Sequence, residues 1–218
     1  ACAPFRRLHL CNKNMENMDT NNDDSSKAKH KLLAEVCYAA KEEGASITLH
    51  YPQYDSKYPS GSVSTMCTML ARSFADIGDI VRGRDLYLGG NNKRRQQLQE
   101  NLKKIFAKIH SEVTSDKNGE IETRYNDGSG NYFQLREDWW TANRGTVWKA
   151  ITCSDRLGGY SYFRPTCGGD SERSGTFSQA HHYCRCNGDK PDDDKANTDP
   201  PTYFDYVPQY LRWFEEWA

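Results

Sequence analysis

Nothing in the 218 residues forms an apolar run close to the roughly 18 needed to cross a bilayer, and no charged-then-apolar leader opens the chain. Net charge is nearly absent too, a formal -1 at pH 7, so there is no global pull toward nucleic acid or an acidic membrane surface. The sequence has no H-E-x-x-H, no G-x-S-x-G and no P-loop; "LGGNNKRR" at 88–95 has the glycines but lacks the G-K-[ST] ending that grips phosphates. The pairs Glu137-Asp138 and Glu215-Glu216 sit in helix-like runs, where surface or helix-end placement suits them better than acid–base work. The expectation is a protein that is not an enzyme and needs no cofactor. No N-x-[ST] acceptor occurs, so glycan shielding is not expected.

What the chain does have is aromatics, 12% of residues against 36% hydrophobic overall. That contrast suggests aromatic-rich core helices joined by long polar loops. The loops read as 16–26, 114–131 and the acidic 187–201. "KAKHKLLAEVCYAAKEEG" reads as a helix ended by Gly44, and "SITLHY" at 46–51 alternates like a short edge strand. Apolar residues at spacings of three and four predict helices over about 64–86 (Met66, Leu70, Phe74, Ile77, Val81), 92–114 (Leu98, Leu102, Ile105, Phe106, Ile109, Val113) and 132–153 (Trp140, Val147, Trp148, Ile151). A last run, 202–218, holds Tyr210, Leu211, Phe214 and Trp217, with Pro208 where a helix can begin. Trp139, Trp140, Trp148 and Trp213 read as core. The sequence stops on "YLRWFEEWA" without a helix stop signal, which reads as a piece of a longer protein.

Eight cysteines, Cys2, Cys11, Cys37, Cys67, Cys153, Cys167, Cys184 and Cys186, lie four in the first third and four in the last. Two local disulfide clusters, each with three possible connectivities, fit this better than a metal site does. They point to an oxidising, extracellular setting. "HHYCRC" at 181–186 raises zinc or a reactive thiol as alternatives, but no matching second pair lies nearby. His181 and His182 are expected to face solvent. Cys184 and Cys186 are expected to reach different partners.

One local charge feature stands out. Between 91 and 109 the basic residues Lys93, Arg94, Arg95, Lys103, Lys104 and Lys108 face a single acid, Glu100, a stripe of roughly +5. Lys93, Lys104 and Lys108 fall opposite the apolar stripe, Lys103 on its flank, and Arg94 and Arg95 at the N-terminal end. Rows of cations bind linear polyanions such as sulfated sugars through charge pairing and counterion release. A solvated helix face with no ligand is the plain alternative. Arg6, Arg7, Arg82 and Arg84 are secondary candidates that equally suit internal ion pairs.

The blocks "ARSFADIGDIVRGRDLY", "LKKIFAKIH", "LREDWWTANRGTVWKAITC", "YFRPTCGG" and "PTYFDYVPQYLRWFEEW", with "ACAPFRRLHLC" at the start, closely resemble the Duffy-binding-like alpha domain of the Plasmodium falciparum erythrocyte membrane protein variant adhesins. The resemblance runs end to end and implies a mainly α Duffy-binding-like fold. A loop-rich, disulfide-held first subdomain (1–70) would pack on a second, helix-bundle subdomain (71–218), with a third following Ala218 and covering apolar surface near Trp213 and Trp217. It implies cytoadherence or rosetting on the extracellular face of the infected erythrocyte membrane, within a larger membrane-anchored protein. Expected partners are a host cell-surface receptor or heparan-sulfate-like glycan on red cells or endothelium, the adjacent cysteine-rich interdomain region, and host antibodies. Four cysteines after "DIGDI" and "LYLG" after the Arg-Asp pair resemble a commonly non-rosetting subgroup, in which the interdomain region usually makes the main receptor contact. A structural, antigenically variable head component is therefore the second reading.

Overall fold

The computed structural model describes residues 2–20, 25–57, 66–87, 92–115, 119–168, 177–191 and 199–217. The elements are α1 (Phe5–Leu8), α2 (Lys13–Glu16), α3 (Ser25–Lys57), α4 (Met66–Arg82), α5 (Asn92–Val113), α6 (Gly119–Arg124), α7 (Phe133–Ile151), β1 (Pro165–Cys167), β2 (Ser178–Gln179) and α8 (Gln209–Trp217), with short 3-10 turns at Asp155–Leu157, Cys186–Gly188 and Phe204–Tyr206. The fold is mainly α, as the sequence predicts. β1 and β2 form one small antiparallel pair, Pro165 opposite Gln179.

Helix α4 is the centre. Every residue from Met66 to Arg82 except Met69 is buried, because α3, α7, α8, α1 and the Phe204–Tyr206 turn all pack on it. Phe74 sits 5.0 Å from the Trp140 ring and meets Trp148 edge-on at 5.2 Å. Position 78 is glycine because a Cβ there would stand 2.7 Å from the Trp140 ring. The apolar stripe of α5 closes the core from the other side, with Leu98, Leu102, Ile105, Phe106 and Ile109 all buried. All four tryptophans read as core, Trp139, Trp140, Trp148 and Trp213, are buried. Positions 70 and 71, the expected division between two subdomains, lie inside the unbroken α4, and the core draws on residues from both sides.

Several elements differ from the sequence reading. The helix expected to end at Gly44 continues to Lys57 and absorbs "SITLHY": Gly44, Thr48 and Tyr51 are buried at spacings of four and three, and the period-2 pattern is incidental. Gly44 is there for a different reason, since a Cβ would meet the Ile151 carbonyl oxygen at 2.0 Å. It is a point of close approach between α3 and α7, not a stop. The helix expected to reach 86 stops at Arg82, where Gly83 takes a left-handed φ of 74° and Arg84 N–H bonds back to the Asp79 carbonyl at 2.8 Å. The second polar loop contains α6, and Arg124 of α6 bridges to Asp138 of α7 at 2.7 Å. Parts of the other two loops, 21–24 and 192–198, lie outside the described residues. In α8, Trp213 is buried, while Tyr210, Leu211, Phe214 and Trp217 are exposed.

The cysteine pairing also corrects the expectation of two local clusters. Cys67 on α4 bonds to Cys184 across 117 positions, and Cys167 on β1 bonds to Cys186. Cys2, Cys11, Cys37 and Cys153 carry free thiols. Cys184 and Cys186 do reach different partners. The long-range bond arises because the 181–186 segment lies over the end of α7: Trp148 donates to the Cys184 carbonyl at 3.1 Å, and Arg185 donates to the carbonyls of Lys149 (2.8 Å) and Thr152 (3.2 Å). "HHYCRC" thus covers the C-terminus of α7, satisfying carbonyls that the helix leaves unpaired. His181 and His182 face solvent. No group of three metal-ligating side chains gathers among the described residues.

Candidate ligand-binding surface

The predicted basic stripe rides on α5, and the structure divides it. Lys93, Arg94 and Lys104 are exposed. Lys108 is half-buried, with its ammonium donating to the Thr20 carbonyl at 2.6 Å, because the chain after α2 lies along that side of the helix. Lys103 is half-exposed, 4.0 Å from Glu100 one turn away. Arg95 turns toward the protein and donates to the Tyr87 carbonyl at 3.3 Å. The exposed cations therefore belong to the N-terminal two-thirds of α5 and do not form one uniform row.

Arg94 and Arg95 line a groove of about 660 Å³ that the sequence did not reveal. Its other walls are the α1–α2 turn, Tyr38 and Glu42 of α3, and Tyr87. The groove exists because α2 is pinned between α3 and α5. Asn14 donates to the Glu35 carbonyl (2.8 Å) and carboxylate (2.7 Å), and Asn101 donates to the Glu16 carbonyl at 2.9 Å. Lys13 is thereby brought beside Arg94, 81 positions away in sequence. No periodicity links those two elements. The hints available were polar ones, a buried Asn101 on an otherwise apolar face above all.

The secondary candidates are all engaged in ion pairs. Arg7 pairs with Asp85 and lies 4.6 Å from the Tyr87 ring centre, Arg84 pairs with Glu137 at 2.8 Å, and Arg82 with Asp79 at 2.9 Å. Arg6 of α1 bridges Asp76 of α4 (2.7 Å) and Glu216 of α8 (2.9 Å). Arg212 of α8 reaches Asp76 and Asp79 from the opposite side. Burial alone would raise the Asp76 carboxyl, but Arg6 and Arg212 outweigh it and hold it below the ordinary carboxylate range. Burial and the neighbouring Glu43 push the Cys11 thiol up to about 11, and burial does the same to Cys37. Both are protonated thiols at neutral pH, poor nucleophiles and poor metal ligands. What this surface offers is exposed charge, an open groove and a rigid frame, the means of binding a partner.

The Duffy binding domain family matches residues 1–212. The chain belongs to this family. Among solved structures, the NTS-DBL1(alpha-1) domain of Plasmodium falciparum membrane protein 1 from the varO strain is 43% identical with a TM-score of 0.71, covering all of this chain and 43% of that one. An ICAM-1-binding PfEMP1 DBLbeta domain is 32% identical with a TM-score of 0.65, over 97% of this chain and 41% of the other. The Duffy receptor beta form of Plasmodium knowlesi is 27% identical over 168 residues, 73% of this chain and 12% of the receptor. The Duffy receptor of Plasmodium vivax (strain Salvador I) is 26% identical over 159 residues, again 12% of its length. The chain therefore spans under half of the solved relatives and about an eighth of the curated ones. The Duffy-binding-like alpha resemblance read from the sequence holds along its whole length.

Proposed function

We propose that this Duffy-binding-like chain is a host-receptor adhesion module of a variant antigen, displayed on the extracellular face of infected red cells within a larger membrane-anchored protein. It acts by non-covalent recognition and not by catalysis. The observation that carries this reading is the exposed basic end of α5, Lys93, Arg94 and Lys104, on a family member whose neighbours include an ICAM-1-binding domain and the Duffy receptors. These cations suit the sulfate and carboxylate groups of a heparan-sulfate-like chain, cytoadherence or rosetting being the cellular outcome. With three exposed cations on the helix, the contact is modest in strength and steeply salt-dependent.

A second reading has its own support. Lys108 is committed to Thr20 and Lys103 stands beside Glu100, which leaves less of the stripe for a polyanion than the sequence offered. On that reading the chain is a scaffold and antibody-facing shield, and the adjacent cysteine-rich interdomain region makes the receptor contact. Retention of the oxidised chain on immobilised heparin across a salt series, beside a Lys93→Glu/Lys104→Glu variant, separates the two. Direct binding predicts retention near physiological salt that falls as salt rises and is lost in the variant. Wild-type protein that is folded but not retained would move the recognition to the neighbouring domain.

A further inference from the structure

We propose that the groove between the α1–α2 turn and α5 is a docking site for a short peptide segment of a partner protein, one that offers a carboxylate beside an apolar side chain. This goes beyond the glycan reading, because the groove and the outer face of α5 present different chemistry. The groove's 660 Å³ is of the size that takes a few side chains, and a smaller cavity of about 170 Å³ continues it along α2, sharing Lys13, Glu16 and Arg94. An elongated occupant fits this run better than a compact one.

Charge selects the occupant further. Arg7 is neutralised by Asp85, so the cations left to meet a ligand are Lys13 and Arg94, neither with an ion-pair partner among the described residues, and Arg95, whose guanidinium is steadied by the Tyr87 carbonyl. Glu42 and Glu16 line the same groove, Glu16 one helical turn from Lys13. A polysulfated chain laid in the groove would bring its charges against those two carboxylates. A peptide avoids the conflict: one carboxylate answers Arg94, while its own backbone N–H groups face Glu42. The apolar part is provided for as well, by Leu98 and Leu10 in the buried floor and by Leu8 and Tyr38, 46% and 56% exposed, at the rim. Tyr38 supplies a flat contact area at low conformational cost, a property that makes tyrosine frequent at interfaces. The frame is pre-formed, since the Cys11 N–H donates to Glu43 at 3.0 Å and Asn14 and Asn101 fix α2. Binding therefore requires no rearrangement of the walls.

The test uses two acetylated, amidated pentapeptides, ELDYL and its counterpart KLKYL, with heparin tetrasaccharide as a third probe, titrated into the isotope-labelled, oxidised chain. The methyl signals of Leu10 and Leu98, which line the groove and lie outside the glycan-binding surface proposed on α5, report binding. The expected result is saturable shifts with ELDYL at a Kd of about 1 mM or tighter, and at least about tenfold weaker binding of KLKYL. Arg94→Glu, an exposed change whose fold is checked by its melting curve, should reverse that preference. Tyr38→Ala should weaken ELDYL without reversing it. Absence of ELDYL binding, equal response to both peptides, or groove shifts produced by the tetrasaccharide instead would each overturn the proposal.

Discussion

Replacing Asp76 with alanine tests how the chain is held together. The carboxylate is fully buried and accepts hydrogen bonds from Arg6 (2.7 Å), Arg212 (2.8 Å), Gln209 (3.1 Å) and Trp213 (3.4 Å). It joins α1 and α8 to α4 at a single point. Removing one partner from a buried ion pair costs about 3–5 kcal/mol, because the remaining charge stays buried and uncompensated. Here Arg6 keeps Glu216 and Arg212 keeps Asp79, so the low end, about 3 kcal/mol, is the better figure. For a chain of this size that corresponds to a fall in Tm of roughly 6–12 °C. Urea denaturation followed by helical circular dichroism, disulfides intact, measures it. Glu215→Ala, on the exposed side of α8, serves as the control and should change stability by under about 0.5 kcal/mol. A loss below about 1 kcal/mol for Asp76→Ala would refute the reasoning, since that is the size of an exposed pair.

Three further outcomes follow from the same geometry. Gly44→Ala should destabilise by about 2 kcal/mol or more despite the better helix propensity of alanine, because the new methyl meets the Ile151 carbonyl; a gain in melting temperature would mean that α3 and α7 do not meet there. Removing the Cys67–Cys184 bond by paired alanines should cost about 4–5 kcal/mol by chain entropy, against about 3 for Cys167–Cys186, whose sequence separation is 19. Equal losses in denaturation curves would contradict that ordering. Burial pushes the Asp79 carboxyl up to about 6 even though Arg212 and Arg82 oppose it. Its folded value stands above its ordinary 3.8, so the folded chain takes up a proton in that window that the unfolded chain does not, and the Asp79 contribution to stability grows as pH falls from about 6 toward 4. Wild type should therefore gain about 1 kcal/mol on Asp79→Asn between pH 7 and 5, and a change of opposite sign counts against it.

The helices were legible where one face is apolar and the other wet. The 3.6-residue stripes of α4 and α5 lead directly to Phe74, Leu102 and Phe106, all fully buried. Legibility failed where tertiary contact overrides the local pattern. Gly44 resembles a helix stop and is a helix–helix contact; "SITLHY" alternates like a strand, yet it extends a helix whose buried side is set by α7. The missed glycine was Gly83, whose left-handed backbone closes α4 in the middle of a run still rich in helix formers. The cysteines illustrate a different limit. Count and spacing indicate disulfides, but a bond across 117 positions depends on where the 181–186 segment lies, which spacing cannot encode. The candidate site was half legible. The composition of α5 supplies all six cations, while the separation of Lys108 from Lys104 and the arrival of Lys13 beside Arg94 depend on how α2 docks.

The most direct test of the adhesion reading is binding of fluorescent tetramers of the oxidised chain to human red cells and endothelial cells by flow cytometry, before and after heparinase treatment. Saturable binding that excess unlabelled chain competes away, that heparinase reduces and that Lys93→Glu/Lys104→Glu abolishes is the predicted result. Folded tetramers that bind neither cell type above a charge-matched control protein would contradict it and leave the chain a scaffold for recognition elsewhere in the parent protein.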